Sequence, residues 1–162
     1  MLIPAISKLD ELRDAFWRIY YTDDMMYETG GLYNWSPNIG DEPEIGDYQY
    51  AIVDDCNSQK LVGFLAYHID WYSSCASRFG LISFDKGNHI VGLALKETLN
   101  KLINEYKLHR IEWRMVGGNP VERHYDSFLK RYNGKKYVLR DVFKDAHGIY
   151  HDDCIYEIIM EQ

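Results

Sequence analysis

The sequence predicts one mixed α/β (α+β) domain, and three observations carry that prediction. The apolar residues change period several times along the chain, from alternation to steps of three and four and back. Those changes follow the order β-α-loop-β-β-β-α-β-α-β-β. No repeat, low-complexity run or linker interrupts the 162 residues, a length that one domain fills with its own core. Residues 1–162 are therefore read as a single domain.

Leu2 to Ala5 is a short apolar run, the first strand. Ser7 with Asp10 three residues on resembles a capping box, and Leu9, Leu12, Phe16 and Ile19 then share one helix face. From Tyr21 to Gly46 the chain is irregular, punctuated by Gly30-Gly31, Ser36-Pro37, Gly40 and Pro43. Tyr48 to Val53 and Leu61 to Ile69 flank the polar turn Asp54–Ser58, which predicts an antiparallel hairpin. Arg78 to Phe84 is the third strand of that group and runs into the turn Asp85-Lys86-Gly87-Asn88. Ile90 to Tyr106 is the clearest helix, with Leu95, Leu99, Leu102, Ile103 and Tyr106 on one stripe. Arg110 to Val116 alternates Ile111, Trp113 and Met115 against Glu112 and Arg114, as a half-buried strand does. Asn119-Pro120 opens a helix to about Tyr132, since Asn caps well and Pro suits the first helical position. Tyr137 to Phe143 and Tyr150 to Met160 close the chain as a hairpin around Lys144–Gly148.

Composition narrows the function classes. The formal charge is -7, from 25 acidic and 18 basic residues. A field of that sign repels phosphate backbones, which disfavours nucleic acid as a partner, and attracts cationic acceptors. The first residues lack the basic head and apolar run of a signal peptide, and no apolar stretch approaches the roughly 20 residues of a membrane span. A soluble, cytoplasmic protein without a membrane partner is expected. Cys56, Cys75 and Cys154 form no Cys-x-x-Cys pair, so neither a disulfide framework nor a structural zinc site is indicated. His147, His151, Asp152, Asp153 and Cys154 lack metal-ligand spacing and read as a polar hairpin, so no metal is predicted.

The chemistry concentrates between Arg78 and Tyr125. In LISFDKGNHIVGLALKETL a strand passes through a glycine turn into a helix. Main-chain N–H groups there, with the first turn of the helix, make a positive concavity suited to a pyrophosphate. Lys86 adds a charge, and Gly87 allows close approach of a ligand to the backbone. The element order and this segment resemble the GNAT superfamily of N-acetyltransferases. Its members follow a strand with a loop of the form Gln/Arg-x-x-Gly-x-Gly/Ala and a long helix. Lys86-Gly87-Asn88-His89-Ile90-Val91-Gly92 is similar to that loop, with His89 where a Gly is common. Asn119 and Tyr125 resemble the family's later Asn and Tyr, at a spacing of six rather than seven residues.

The resemblance implies a central mixed, mostly antiparallel sheet of about six to seven strands flanked by helices. It also implies acetyl-CoA as acyl donor, held by Ile82, Ser83, Phe84, Lys86, Gly87, Asn88, His89, Ile90, Val91, Gly92 and Asn119. An amine then attacks the acetyl carbonyl directly, a backbone N–H of Leu81–Phe84 stabilises the oxyanion, and Tyr125 protonates the departing thiolate. Glu112, mid-strand on the face opposite Ile111 and Trp113, is the candidate base acting through water, with His68 and Asp70 as comparable candidates. Tyr27, Tyr33 and Trp35, among Asp23, Asp24 and Glu28, combine aromatic faces with negative charge and suit a small-molecule or peptide amine. A second reading is a non-enzymatic protein of the same fold that binds acyl-CoA or a protein partner. An antiparallel edge strand permits a homodimer.

Overall fold

The computed structural model describes residues 1–21, 38–40 and 45–160. Its strands are β1 (Leu2–Pro4), β2 (Asp47–Asp54), β3 (Lys60–Asp70), β4 (Cys75–Ser83), β5 (Arg110–Val116), β6 (Lys135–Lys144) and β7 (Tyr150–Ile159). Its α-helices are α1 (Leu9–Tyr20), α2 (His89–Asn100) and α3 (Glu122–Arg131). The strands make one sheet in the order β1-β2-β3-β4-β5-β7-β6. Every neighbouring pair is antiparallel except β4 and β5, which run parallel. The expected mixed, mostly antiparallel sheet is thus present.

Strand alternation sorts the core into two sides. Leu65, Tyr67, Ile111, Trp113, Met115, Tyr156 and Ile158 face one way and pack with Val91, Ala94, Leu99 and Leu102 of the α2 segment and Leu129 of α3. Ala51, Val53, Phe64 and Ile82 face the other way and pack with Leu12, Phe16 and Ile19 of α1. The spacing of three and four residues predicted for α1 is therefore the stripe it buries.

Several boundaries differ from the sequence expectation. Ser7 does not cap α1: its hydroxyl donates to the Pro4 carbonyl at 2.6 Å within a 3-10 turn, Ala5–Lys8, and the helix begins at Leu9. The short hydroxyl finds a carbonyl three residues back before it can reach the helix. The predicted helix Ile90–Tyr106 is an α-helix only to Asn100 and continues as a π-helical turn, Lys101–Glu105, in which Tyr106 N–H donates to the Lys101 carbonyl at 2.9 Å. That wider turn buries Leu102 completely. Asn119 starts a turn rather than α3 itself, its side-chain oxygen accepting from Val121 N–H at 3.0 Å, and regular helix follows from Glu122.

Candidate functional site

The defining feature is where the sheet opens. β4 and β5 pair only at Cys75↔Arg110 and Ala76↔Ile111, and beyond that point no rungs join them. The divergence coincides with a bulge in β4. His68 pairs with Ser77 and Ala66 with Gly80, so Arg78 and Phe79 together oppose Tyr67. Arg78 adopts φ 53°, a left-handed conformation that costs a residue with a side chain about 1–3 kcal/mol. A bulge bends its strand and ends regular pairing, which makes it the local cause of the opening. Beyond it, Phe84 N–H donates to the Val62 carbonyl at 2.9 Å. Alternation then directs the N–H and C=O groups of Leu81 and Ser83 toward the β5 side, where no strand pairs with them.

One lip of this wedge is the β4–α2 turn. Gly87 has φ 80°, which only glycine adopts without strain, and a Cβ built on it would meet nothing within 4 Å. Gly92 lies in the first turns of α2, and a Cβ there would also meet nothing within 4 Å. Neither a turn nor packing requires glycine at Gly92, yet glycine costs a helix about 1 kcal/mol relative to alanine. Asn88 caps α2, its side-chain oxygen accepting from Ile90 N–H at 2.9 Å. Lys86 and His89 are exposed. Other residues expected to hold the donor serve the fold: Ile82 and Val91 are buried in the core, Ile90 is half-buried against it, and Phe84 packs edge-on against Phe16. The Ser83 hydroxyl donates to the Asp85 carbonyl at 2.8 Å and tightens the turn.

The other lip is the end of β5 with α3. Trp113 projects from β5 two residues past the last β4–β5 rung and stacks on Tyr156 with centroids 5.3 Å apart. Tyr125 of α3 meets both rings edge-on, at 5.8 Å from Trp113 and 5.6 Å from Tyr156. Burial alone pushes the Tyr125 phenol up to about 12. The Trp113 indole N–H is buried and has no hydrogen-bond partner among the described residues. Leaving such a donor unmade costs about 1–3 kcal/mol. Nothing in its spacing marks Trp113 for a site, and the sequence shows it only as the apolar phase of a strand.

The sheet face opposite α2 and α3 carries charge beside the wedge. Glu112 accepts from Arg110 Nη2 at 2.6 Å, and Glu157, its register partner on β7, accepts from the same guanidinium at 2.8 Å. Arg114 pairs with the buried carboxylate of Asp153. On the same face, His68 Nδ1 lies 2.5 Å from Asp47 Oδ1, and His68 pairs in register with Ser77. Asp70, considered with His68 from the sequence, accepts from Tyr72 N–H, Ser73 N–H and the Ser73 hydroxyl at 2.7–3.2 Å. Those bonds, the Ser73 hydroxyl first, hold its carboxyl below the usual range. Tyr27, Tyr33 and Trp35, the expected acceptor contacts, lie outside the described residues. The fold therefore brings Ile82–Gly92 and Asn119–Tyr125 to the two lips of one opening, while Glu112 sits on the opposite face in an ion-paired row.

No protein-family model matches the sequence, and no curated protein resembles it closely enough to match. Solved structures do. A variant of the spermidine N-acetyltransferase SpeG from Vibrio cholerae is 15% identical, with 91% of this chain and 89% of that one covered and a TM-score of 0.59. A second SpeG structure, of the spermidine/spermine N-acetyltransferase from Vibrio cholerae in complex with manganese ions, is 16% identical at a TM-score of 0.55, covering 72% of this chain and 66% of that one. Against the first structures matched, the chain spans between 63% and 69% of their length. Likeness at this identity speaks for the fold, and the fold is the GNAT type shared by these acetyltransferases.

Proposed function

We propose that the chain is an acyltransferase of the N-acetyltransferase type, with acetyl-CoA as donor and a primary amine as acceptor. The observation that carries this reading is the unpaired inner edge of β4 beyond the Arg78 bulge, opening beside a helix N-terminus flanked by Gly87 and Gly92. The residues present fit such a donor. The Trp113 N–H, without an acceptor among the described residues, matches an amide carbonyl of the pantetheine arm. The open space at Gly92 admits a bulky group where alanine would otherwise be the more stable residue.

The bound donor supplies an activated acyl thioester. On that reading Leu81 and Ser83 offer main-chain hydrogen bonds along the wedge, and Lys86, Gly87, Asn88 and His89 take the pyrophosphate, with Asn119 on the opposite lip. The Tyr125 phenol keeps its proton throughout the physiological range. Full transfer to a thiolate of ordinary basicity, about 8.5, is uphill by about 5 kcal/mol from a phenol near 12. Tyr125 therefore acts as a hydrogen-bond donor to the leaving sulfur, handing over its proton late. The carboxylates Asp47, Glu112 and Glu157 favour a cationic amine on the opposite face, and the similarity to spermidine acetyltransferases makes polyamines the first acceptors to test.

Release of free thiol from acetyl-CoA, measured with and without spermidine, tyramine and lysinamide, tests the reading. Amine-dependent release with the matching acetylated product supports it. Release at the bare hydrolysis rate with all three would contradict it.

A further inference from the structure

An ammonium must lose a proton before its nitrogen can attack an acyl carbon, and the face beside the wedge carries one group built to take it. The His68 side chain is half-buried, and its Nδ1 is engaged by Asp47 Oδ1 at 2.5 Å. With Nδ1–H donated to the carboxylate, the Nε2 lone pair is left to accept a proton, and Nε2 has no partner among the described residues. His68 is not placed at random along β3. Its register partner Ser77 is the first β4 residue after the last rung to β5 and directly precedes the Arg78 bulge, so His68 stands in the row where the sheet begins to part. The other candidates on this face are committed elsewhere. Glu112 and Glu157 share the Arg110 guanidinium, Asp153 is buried against Arg114, and Asp70 is saturated by the Tyr72–Ser73 turn. Besides Asp47, the charged groups nearest His68 in the sheet are Asp70, two residues on, and the exposed Arg78 of the neighbouring strand.

We infer that His68 is the general base of the reaction and Asp47 the residue that positions it, an assignment that rests on the acyltransfer reading above. Nε2 gains the proton that the acceptor ammonium loses and later passes it to solvent. The freed nitrogen lone pair forms the C–N bond as the thioester C–S bond breaks; the leaving sulfur takes its proton from Tyr125, and the excess proton left on nitrogen passes through solvent to restore the Tyr125 phenol. Base and leaving-group partner then stand on opposite faces of the parted sheet, His68 on one and Tyr125 on the other.

The test compares wild type, His68→Gln and Asp47→Asn in thiol release from acetyl-CoA, using the fastest of spermidine, tyramine and lysinamide, between pH 6.5 and 10. A positioned base contributes about 10²- to 10⁴-fold. His68→Gln is expected to lose about 10²-fold in kcat near pH 7, and the deficit should shrink toward pH 10, where a growing share of the amine is already neutral. Asp47→Asn should show a smaller loss with the same convergence. Both variants should keep the wild-type melting response to acetyl-CoA, which guards against misfolding. A His68→Gln deficit of equal size at every pH, or no deficit, overturns the assignment while leaving the acyltransfer reading intact. Wild type inactive with all three amines overturns both.

Discussion

Tyr125 shows how far a side chain can be read before its surroundings are known. The family resemblance implied that Tyr125, six residues after Asn119, protonates the departing thiolate. Packed against Trp113 and Tyr156, it is held up to about 12, which suits a hydrogen-bond donor better than an acid that ionises readily. Tyr125→Phe should therefore lower kcat by about 10- to 100-fold, at the lower end of the range for a positioned acid. Acetyl-CoA binding should persist, and steady-state kinetics with a melting control separate the two effects. Unchanged turnover would remove Tyr125 from the mechanism. Trp113 and the Asp47–His68 pair were not legible as a site. A strand tryptophan reads as core whichever way its N–H is satisfied, and Asp47 meets His68, 21 residues away, only through the β2–β3 register.

At the scale of elements, the junction of β4 with α2 combines two kinds of glycine, Gly87 in the turn and Gly92 inside the first turns of the helix. Gly87 is required by its backbone, whereas Gly92 is not, so substitution at Gly92 separates folding from binding. Gly92→Ala should stabilise the free protein by about 1 kcal/mol, from helix propensity alone. Gly92→Glu should leave it no less stable, since an acidic residue near a helix N-terminus is favourable. It should nevertheless abolish the response to acetyl-CoA, and a retained response would displace the pyrophosphate from this turn. Gly63 is the structural counterpart, because a Cβ there would come within 2.7 Å of the Ile82 carbonyl and 3.1 Å of Val91 on α2. Gly63→Ala should destabilise by about 1–3 kcal/mol, as overpacking does, and denaturant titration would measure it. Element types and order were readable because each period is long enough to declare itself. The Arg78 bulge was not, since nothing in Ser77-Arg78-Phe79 breaks the alternation that a regular strand would show.

Across the whole molecule, the sheet is held by aromatic residues whose hydroxyls are poorly placed to ionise. Burial raises the pKa values of Tyr67, Tyr125 and Tyr156. Because the folded values exceed the unfolded value near 10, their contribution to stability is complete below pH 10 and is lost as pH rises through the folded values. Stability should accordingly fall steeply above pH 10, and ultraviolet titration should find these phenols ionising together with unfolding. Early, reversible ionisation of all fourteen tyrosines would contradict the burial described. The closing strand is protected in a related way. β6 is bulged between Leu139 and Phe143, with Asp141 at φ 57°, and a bulged edge resists regular pairing with another chain. The central claim is that the parted sheet is a seat for an acyl-CoA, and the most direct measurement is the melting temperature with and without acetyl-CoA, with ATP and NAD as controls. A ligand at about 100 times its dissociation constant adds roughly 2.7 kcal/mol. That should raise the midpoint by several degrees in a domain of this size, with acetyl-CoA alone. No shift at saturating acetyl-CoA, or an equal shift with ATP, would contradict it.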